Sequence, residues 1–126
     1  MKIPFSVNLS GKTAIVTGGS GTLCSAMAYG LAVSGAKVAL IGRNKEKMSK
    51  VVSELTDNAL KEHNATVTIN GYCCNVTDKE ELTKIYEVIK ADLGSCDILI
   101  NGAGGNQPGA ITSTEMLKKE EGADDY

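Results

Sequence analysis

The chain has 126 residues, of which 22% are charged and 42% hydrophobic, and its formal net charge is -2. This composition is ordinary for a globular protein, and the length predicts one domain over residues 1–126. With one Phe, four Tyr and no Trp, the weakly acidic chain offers neither a basic surface nor base-stacking side chains, which excludes nucleic acid and an anionic membrane as expected partners.

The first half of the chain alternates short apolar segments with helical patterns. TAIVT, at Thr13–Thr17, is β-branched and predicts a buried strand, and residues 22–34 predict a helix that Gly35 ends. KVALI, at Lys37–Ile41, predicts the second strand, and residues 45–61 predict an amphipathic helix. The apolar positions expected to face the core are Leu23, Ala26, Met27, Leu31 and Ala32 in the first helix, and Met48, Val51, Val52, Leu55 and Leu60 in the second.

The alternation continues with a third strand and a third helix. Residues 66–73 predict the strand, in which Gly71 indicates a bulge or a close approach of another group. Residues 77–93 predict the helix, with Thr77 as its N-cap and Glu80 completing a capping box.

The fourth strand, Asp97–Asn101, follows Gly94 and leads into a glycine-rich loop. The resulting order β-α-β-α-β-α-β predicts an α/β fold, a Rossmann-like doubly wound parallel sheet in three αβα layers. The strand order 3-2-1-4 would leave the fourth strand as an edge, and the sheet would stop after strand four where such sheets usually have six. We therefore expect the amino-terminal portion of a dinucleotide-binding domain.

The loop after the first strand has the composition of a phosphate-binding turn. TGGSGTLC joins a predicted strand to a predicted helix, which is the context that gives a G-x-G-x-x-G pattern its meaning. Gly18, Gly19 and Gly21 permit a tight turn, and the helix N-terminus offers N–H groups to a pyrophosphate. Cys24 stands where a third glycine would allow close packing of helix and strand, and a small thiol side chain fits that role.

Together, TGGSGTLC and DILINGAGG resemble the short-chain dehydrogenase/reductase family, whose patterns are TGxxxGxG and NNAG. The chain departs from these patterns at Thr22, Cys24 and Gly102. This combination of departures is similar to the D-mannonate (fructuronate) oxidoreductase subgroup, over residues 9–112.

The resemblance implies a set of cofactor-binding residues. Beside Gly18 in the turn, it assigns Ser20, Gly21, Thr22 and Leu23 to the ribose and pyrophosphate, Asn75 and Val76 to the adenine, and Asn101, Ala103 and Gly104 to the adenosine ribose. Asn75 stands where the family has Asp, so it keeps a carbonyl acceptor for the adenine amino group but lacks the charge.

The end of the second strand bears on the choice of cofactor. NAD-binding enzymes place an acid there for the ribose hydroxyls, whereas this chain has Gly42, Arg43 and Asn44. Glycine leaves room for a 2′-phosphate and a guanidinium can bind it, so we expect NADP(H) to be preferred over NAD(H). Arg43 could instead be a solvated residue or stack on the adenine.

No catalytic residue is expected within this chain. The family uses a Ser and a Tyr-x-x-x-Lys pair, on a helix well past the fourth strand. The Tyr86 to Lys90 match lies on the helix before that strand, so we interpret it as structural. Tyr126 has nothing after it and cannot start the motif.

The cysteines and the single histidine give little basis for a metal site. No C-x-x-C pair occurs, and Cys73 and Cys74, adjacent on a strand, must point to opposite faces and are expected to be core thiols. The first residues lack a secretory leader and no run is long enough for a membrane span, so a cytoplasmic protein with reduced thiols is expected.

Two functional hypotheses follow. The first is the cofactor-binding half of an NAD(P)-dependent oxidoreductase that interconverts a keto and a hydroxy sugar acid, with a small-molecule substrate and, by the resemblance, a homo-oligomeric assembly. The alternative is a catalytically inactive nucleotide-binding or assembly module that ends at Tyr126. A flavodoxin-like module is disfavoured by the glycine-rich segments after strands one and four.

Overall fold

The computed structural model describes residues 7–18 and 21–102, and in this part of the chain four parallel strands and three helices alternate. The predicted strand order is confirmed: the sheet runs β3-β2-β1-β4. The elements in chain order are β1 (Thr13–Thr17), α1 (Thr22–Val33), β2 (Lys37–Gly42), α2 (Lys45–His63), β3 (Thr68–Cys73), α3 (Lys79–Leu93) and β4 (Ile98–Asn101).

The register of the sheet brings the carboxyl ends of the strands to one edge. Thr17, the last residue of β1, is paired with Ile41 of β2 and with Asn101, the last residue of β4. Gly42 of β2 is paired with Cys73, the last residue of β3. In open parallel sheets ligands bind at this edge, so a binding site is expected beside the carboxyl ends of these strands.

The helices cover the two faces of the sheet unequally. On one face α1 and α2 pack over side chains such as Val16, Val38 and Leu40, which are fully buried. On the other face α3 packs over Ile15 and Ile41. The central strands β1 and β2 are therefore buried on both sides, as parallel sheets require, and the predicted three-layer αβα arrangement is confirmed.

The predicted core faces of α1 and α2 are wrong at Leu23, Ala26 and Leu60, all of which are exposed. Leu23 is 72% exposed and Leu60 is 56% exposed. The buried residues of α1 are small, Cys24, Ala28 and Ala32, and those of α2 are Ala59 and the predicted Met48. Small side chains let a helix lie close to the sheet, so the largest apolar residues of the helix do not mark the face that is buried.

Gly71 is a point of close approach and not a bulge. The pairing of β2 with β3 continues without interruption from Lys37 with Thr68 to Gly42 with Cys73. A Cβ atom at Gly71 would lie 2.6 Å from Cγ of Met48, a buried residue of α2. Glycine is used here because α2 rests directly on the backbone of β3.

One thiol of the adjacent pair is not in the core. Cys74 is buried, as expected, but Cys73 is exposed, because it ends the edge strand β3 beside the exposed Arg43 and donates its S–H to the Arg43 carbonyl oxygen at 3.2 Å. All four cysteines are free thiols. Within residues 7–18 and 21–102, no cluster of three potential metal ligands is found, and no helix is long and apolar enough to cross a membrane.

The N-cap of α3 is Asp78 and not Thr77. The Asp78 carboxylate accepts hydrogen bonds from the backbone N–H groups of Glu80 and Glu81, both at 3.1 Å. The Thr77 hydroxyl is used elsewhere, because it donates to Oδ1 of Asn75 at 2.7 Å. The helix accordingly begins at Lys79, two residues later than predicted.

Replacing the Asp78 cap should destabilise the protein measurably. We expect Asp78→Ala to lower the free energy of unfolding by about 1 kcal/mol, because two N–H groups of the first helical turn lose their acceptor. Thr77→Ala, the matched control, removes a hydroxyl that caps nothing and should cost less. Urea unfolding of the two variants measures the difference, and an equal or larger loss in Thr77→Ala would contradict the assignment of the cap.

Candidate functional site

The strand order creates a crevice at the carboxyl edge between β1 and β4. From β1 the chain crosses over one face of the sheet through α1 to β2, and it returns across the other face through α3 to β4. Helices α1 and α3 therefore lie on opposite faces of the sheet at the point where the strand order reverses. A crevice at this switch point is the usual binding position in open α/β sheets.

The turn after β1 has the geometry for which glycine is required. Gly18 adopts a φ of +70°, which side chains other than glycine disfavour, and its N–H donates to the carbonyl oxygen of Ile41 at 2.9 Å. Its carbonyl oxygen accepts from the N–H of Gly21 at 3.0 Å, and a Cβ at Gly21 would lie only 3.3 Å from that oxygen. Ser20, which the sequence also assigned to the cofactor, lies outside the described residues.

The N-terminus of α1 differs from those of the other two helices. Its N-cap is Gly21, which provides no side-chain hydrogen bond, and its first turn contains no acidic residue. Helices α2 and α3 are capped by the side chains of Asn44 and Asp78, and both have glutamate in the first turn. The first N–H groups of α1 are thus left for an acceptor that the helix itself does not supply, at its positive dipole end.

The predicted contact residues at the start of α1 are accessible. Thr22 is exposed, and Leu23 beside it, in the first turn of α1, presents an apolar side chain that is 72% exposed. Exposure of a large apolar side chain beside uncapped N–H groups fits a ligand that combines phosphate with an apolar surface.

Arg43 and Asn44, the two residues that follow β2, differ in the structural role of their side chains. Arg43 is exposed, and no residue in the described ranges forms an ion pair with its guanidinium. Asn44 has a structural task, because its Oδ1 accepts the Lys47 N–H at 3.0 Å and caps α2. Any cofactor contact of Asn44 therefore comes in addition to its capping bond.

Asn75 lies in a local hydrogen-bond network that the sequence did not predict. Its Oδ1 accepts from the N–H and the hydroxyl of Thr77, at 3.1 and 2.7 Å, and its own N–H donates to the Glu81 carboxylate at 3.2 Å. A carbonyl oxygen has two lone pairs, and both are used here. The adenine contact predicted for this oxygen would require Asn75 to exchange one of its present partners.

An apolar cavity of about 570 Å³ lies on the α3 face, next to β1 and β4. Val76 and Asn101, two of the predicted cofactor-binding residues, line it together with Thr17 and Ile41. The structure thus brings the end of β4 and the segment after β3 to one cavity. Tyr86 also lines it, as an apolar wall residue of α3, whereas its motif partner Lys90 does not.

Thr17 joins the two sides of the crevice, a role that the sequence did not reveal. The N–H of Gly102, directly after β4, donates to the carbonyl oxygen and to Oγ1 of Thr17, both at 3.1 Å. The Thr17 hydroxyl also reaches the carbonyl oxygen of Ile100 at 3.4 Å. Ala103 and Gly104, the next predicted contacts, lie outside the described residues.

Comparison with known proteins agrees with this geometry. A Bacillus subtilis (strain 168) protein described as an uncharacterized oxidoreductase, UxuB, is 48% identical over 93% of this chain and 40% of its own length. A solved Haemophilus influenzae structure with bound NAD, described as a candidate D-mannonate oxidoreductase, is 34% identical with a TM-score of 0.65, over 93% of this chain and 39% of that one. A metagenomic short-chain oxidoreductase in complex with NADP is 28% identical with a TM-score of 0.66, over 82% of this chain and 43% of that one.

The chain spans about two fifths of the length of the proteins it matches. The sequence model of the short chain dehydrogenase family matches residues 12–122, which is nearly the whole chain. Both described parts of the crevice, the glycine turn after β1 and the end of β4, lie within that match. The chain therefore belongs to the short-chain dehydrogenase family.

Proposed function

We propose that this chain binds a nicotinamide dinucleotide in the crevice between β1 and β4, within a single domain that includes residues 1–126. The observation that carries the proposal is the uncapped N-terminus of α1, placed directly after the positive-φ turn at Gly18. These N–H groups need an acceptor, and a pyrophosphate supplies oxygen atoms and negative charge together.

The residues around the crevice fit the rest of such a ligand. The cavity beside Val76 and Asn101 is apolar, as an adenine ring requires, and the exposed Leu23 offers apolar surface on the other side. Arg43 at the end of β2 is the residue that would select a 2′-phosphate, so we propose NADP(H) as the preferred cofactor. The solved relatives do not decide this point, because one holds NAD and the other NADP.

In the whole protein we propose a reaction between a keto and a hydroxy sugar acid of the fructuronate and mannonate type. The support is the 34% identity with the Haemophilus protein described as a candidate D-mannonate oxidoreductase. The bound dinucleotide would carry the hydride. The present chain contributes the binding: the α1 N-terminus would hold the pyrophosphate, Thr22 and Leu23 would flank it, and Asn101 would lie beside the ribose.

The decisive experiment measures binding and activity on the protein expressed from its complete reading frame. Isothermal titration calorimetry with NADP(H) and NAD(H) tests the site, and oxidation of NADPH or NADH in the presence of fructuronate tests the substrate. We expect binding of both cofactors and turnover of fructuronate. Absence of dinucleotide binding at millimolar ligand would refute the site, whereas binding without turnover of any sugar acid would refute only the substrate.

A further inference from the structure

We propose that Cys24 and Gly102 form a size-matched pair that positions the turn after β1 against the end of β4. The two residues lie in different elements, since Cys24 is in the first turn of α1 and Gly102 follows β4. A Cβ atom built at Gly102 would collide with Sγ of Cys24. The thiol therefore occupies the space that any side chain at position 102 would need.

The pair sits at the junction that holds the crevice together. The Gly102 N–H is fixed by the carbonyl oxygen and hydroxyl of Thr17, and a Cβ at position 102 would also lie 2.8 Å from that carbonyl oxygen. Cys24 is only 8% exposed and belongs to the core cluster that includes Val16. The thiol can relieve its collision only by leaving its packed rotamer, and the Thr17 carbonyl oxygen is backbone and cannot turn away. Bulk added at position 102 therefore disturbs both the packing of Cys24 and the junction of β4 with β1.

The consequence concerns the ligand, because the elements that would be disturbed are those that line the crevice. Gly21 and Thr22 precede Cys24 on one side, and Asn101 precedes Gly102 on the other. The pair also explains why the sequence departs from the family pattern at both positions together. A larger residue at 24 is accommodated by the smallest residue at 102. This role rests on the proposed dinucleotide site, but the packing of the two residues does not.

A double-mutant cycle in the protein expressed from its complete reading frame tests the pair. Gly102→Ala should lower the unfolding midpoint by roughly 3–10 °C and raise the dissociation constant for NADP(H) by about tenfold or more. Cys24→Gly alone should also lower the midpoint, because it opens a cavity. In the double variant the unfolding midpoint and the affinity should both recover relative to Gly102→Ala, because the collision with the thiol is gone. The recovery should be partial, because the close approach of the new Cβ to the Thr17 carbonyl oxygen remains.

The matched control is Val38→Ala, which trims a fully buried side chain near the amino end of β2, at the edge of the sheet opposite the crevice. It should lower the unfolding midpoint while leaving the dissociation constant within about twofold. At temperatures well below the unfolding midpoint, a loss of stability alone does not weaken binding to the folded protein. Gly102→Ala with unchanged affinity, or a double variant with no recovery, would overturn the proposal. If the unaltered protein binds neither NADP(H) nor NAD(H), the proposed function fails, but the packing of the pair is still tested by stability. In that case the pairing would be overturned if the changes in unfolding midpoint of the two single variants added up to that of the double variant.

Discussion

Replacing Thr22 by aspartate should strongly weaken dinucleotide binding while leaving the protein as stable as before or slightly more stable. Thr22 is exposed and is the first residue of α1, whose first turn has no acidic residue and whose N-cap offers no side-chain bond. A carboxylate at this position interacts favourably with the helix dipole, which contributes about 0.3–1 kcal/mol to stability. The effects on folding and on binding should therefore have opposite signs.

The loss of binding should be large because the same carboxylate would meet the pyrophosphate. Two unit negative charges about 4–5 Å apart repel by about 3–4 kcal/mol at an effective dielectric constant near 20. This corresponds to an increase in the dissociation constant of roughly 10²–10³-fold. Calorimetric titration with NADP(H) measures the binding, and thermal unfolding without ligand measures the stability.

Thr22→Asn is the matched control, because asparagine has nearly the shape of aspartate without its charge. It should bind the dinucleotide within about one order of magnitude of the unaltered protein, so that the difference between the two variants isolates charge. High salt should recover part of the loss in Thr22→Asp, because screening weakens the repulsion. Equal affinity of the two variants at low salt would place the pyrophosphate away from α1.

The architecture was predictable from the sequence because its signals are local and repeated. Each strand is a short segment with β-branched residues, and each is separated from the next by a helical pattern. Gly35 and Gly94 follow α1 and α3, and Asn64, in the left-handed region, follows α2. The helix faces were less predictable, since periodicity weights the largest apolar residues. In α1 the sheet is met by Cys24 and Ala28, and Leu23 is left exposed. Periodicity alone does not distinguish an apolar residue that packs against the sheet from one that stays exposed.

The geometry of the candidate site was predictable only where a single segment determines it. The glycine turn after β1 and the start of the helix that follows lie in one continuous run of residues. The capping of α3 was missed because two overlapping patterns, Thr77 with Glu80 and Asp78 with Glu81, are equally good locally. Asn75 decides between them, since it binds the Thr77 hydroxyl and leaves Asp78 to cap the helix. The contact between Cys24 and Gly102 joins residues far apart in the chain, so no local pattern contains it.

Removing the charge of Arg43 should change the discrimination between the two cofactors. The guanidinium is exposed at the end of β2, directly after Gly42, which has no side chain to block a 2′-phosphate. Charge-assisted hydrogen bonds to that phosphate contribute about 1.5–3 kcal/mol. We expect Arg43→Gln to raise the dissociation constant for NADP(H) by roughly 10–150-fold and that for NAD(H) by less than about threefold.

Lys61→Gln provides the control for Arg43→Gln, because it removes one exposed positive charge from the last turn of α2, about 24 Å along the helix from its first residue. It should change both dissociation constants by similar small factors, since exposed charges farther than about 10 Å from the ligand are largely screened at 0.1 M salt. Calorimetry on both variants with both dinucleotides distinguishes the remaining alternatives for Arg43. An equal loss for NADP(H) and NAD(H) would indicate stacking on the adenine that both cofactors share, and no loss for either would leave Arg43 a solvated residue. Only a selective loss for NADP(H) assigns the arginine to the 2′-phosphate, because that group alone separates the two ligands.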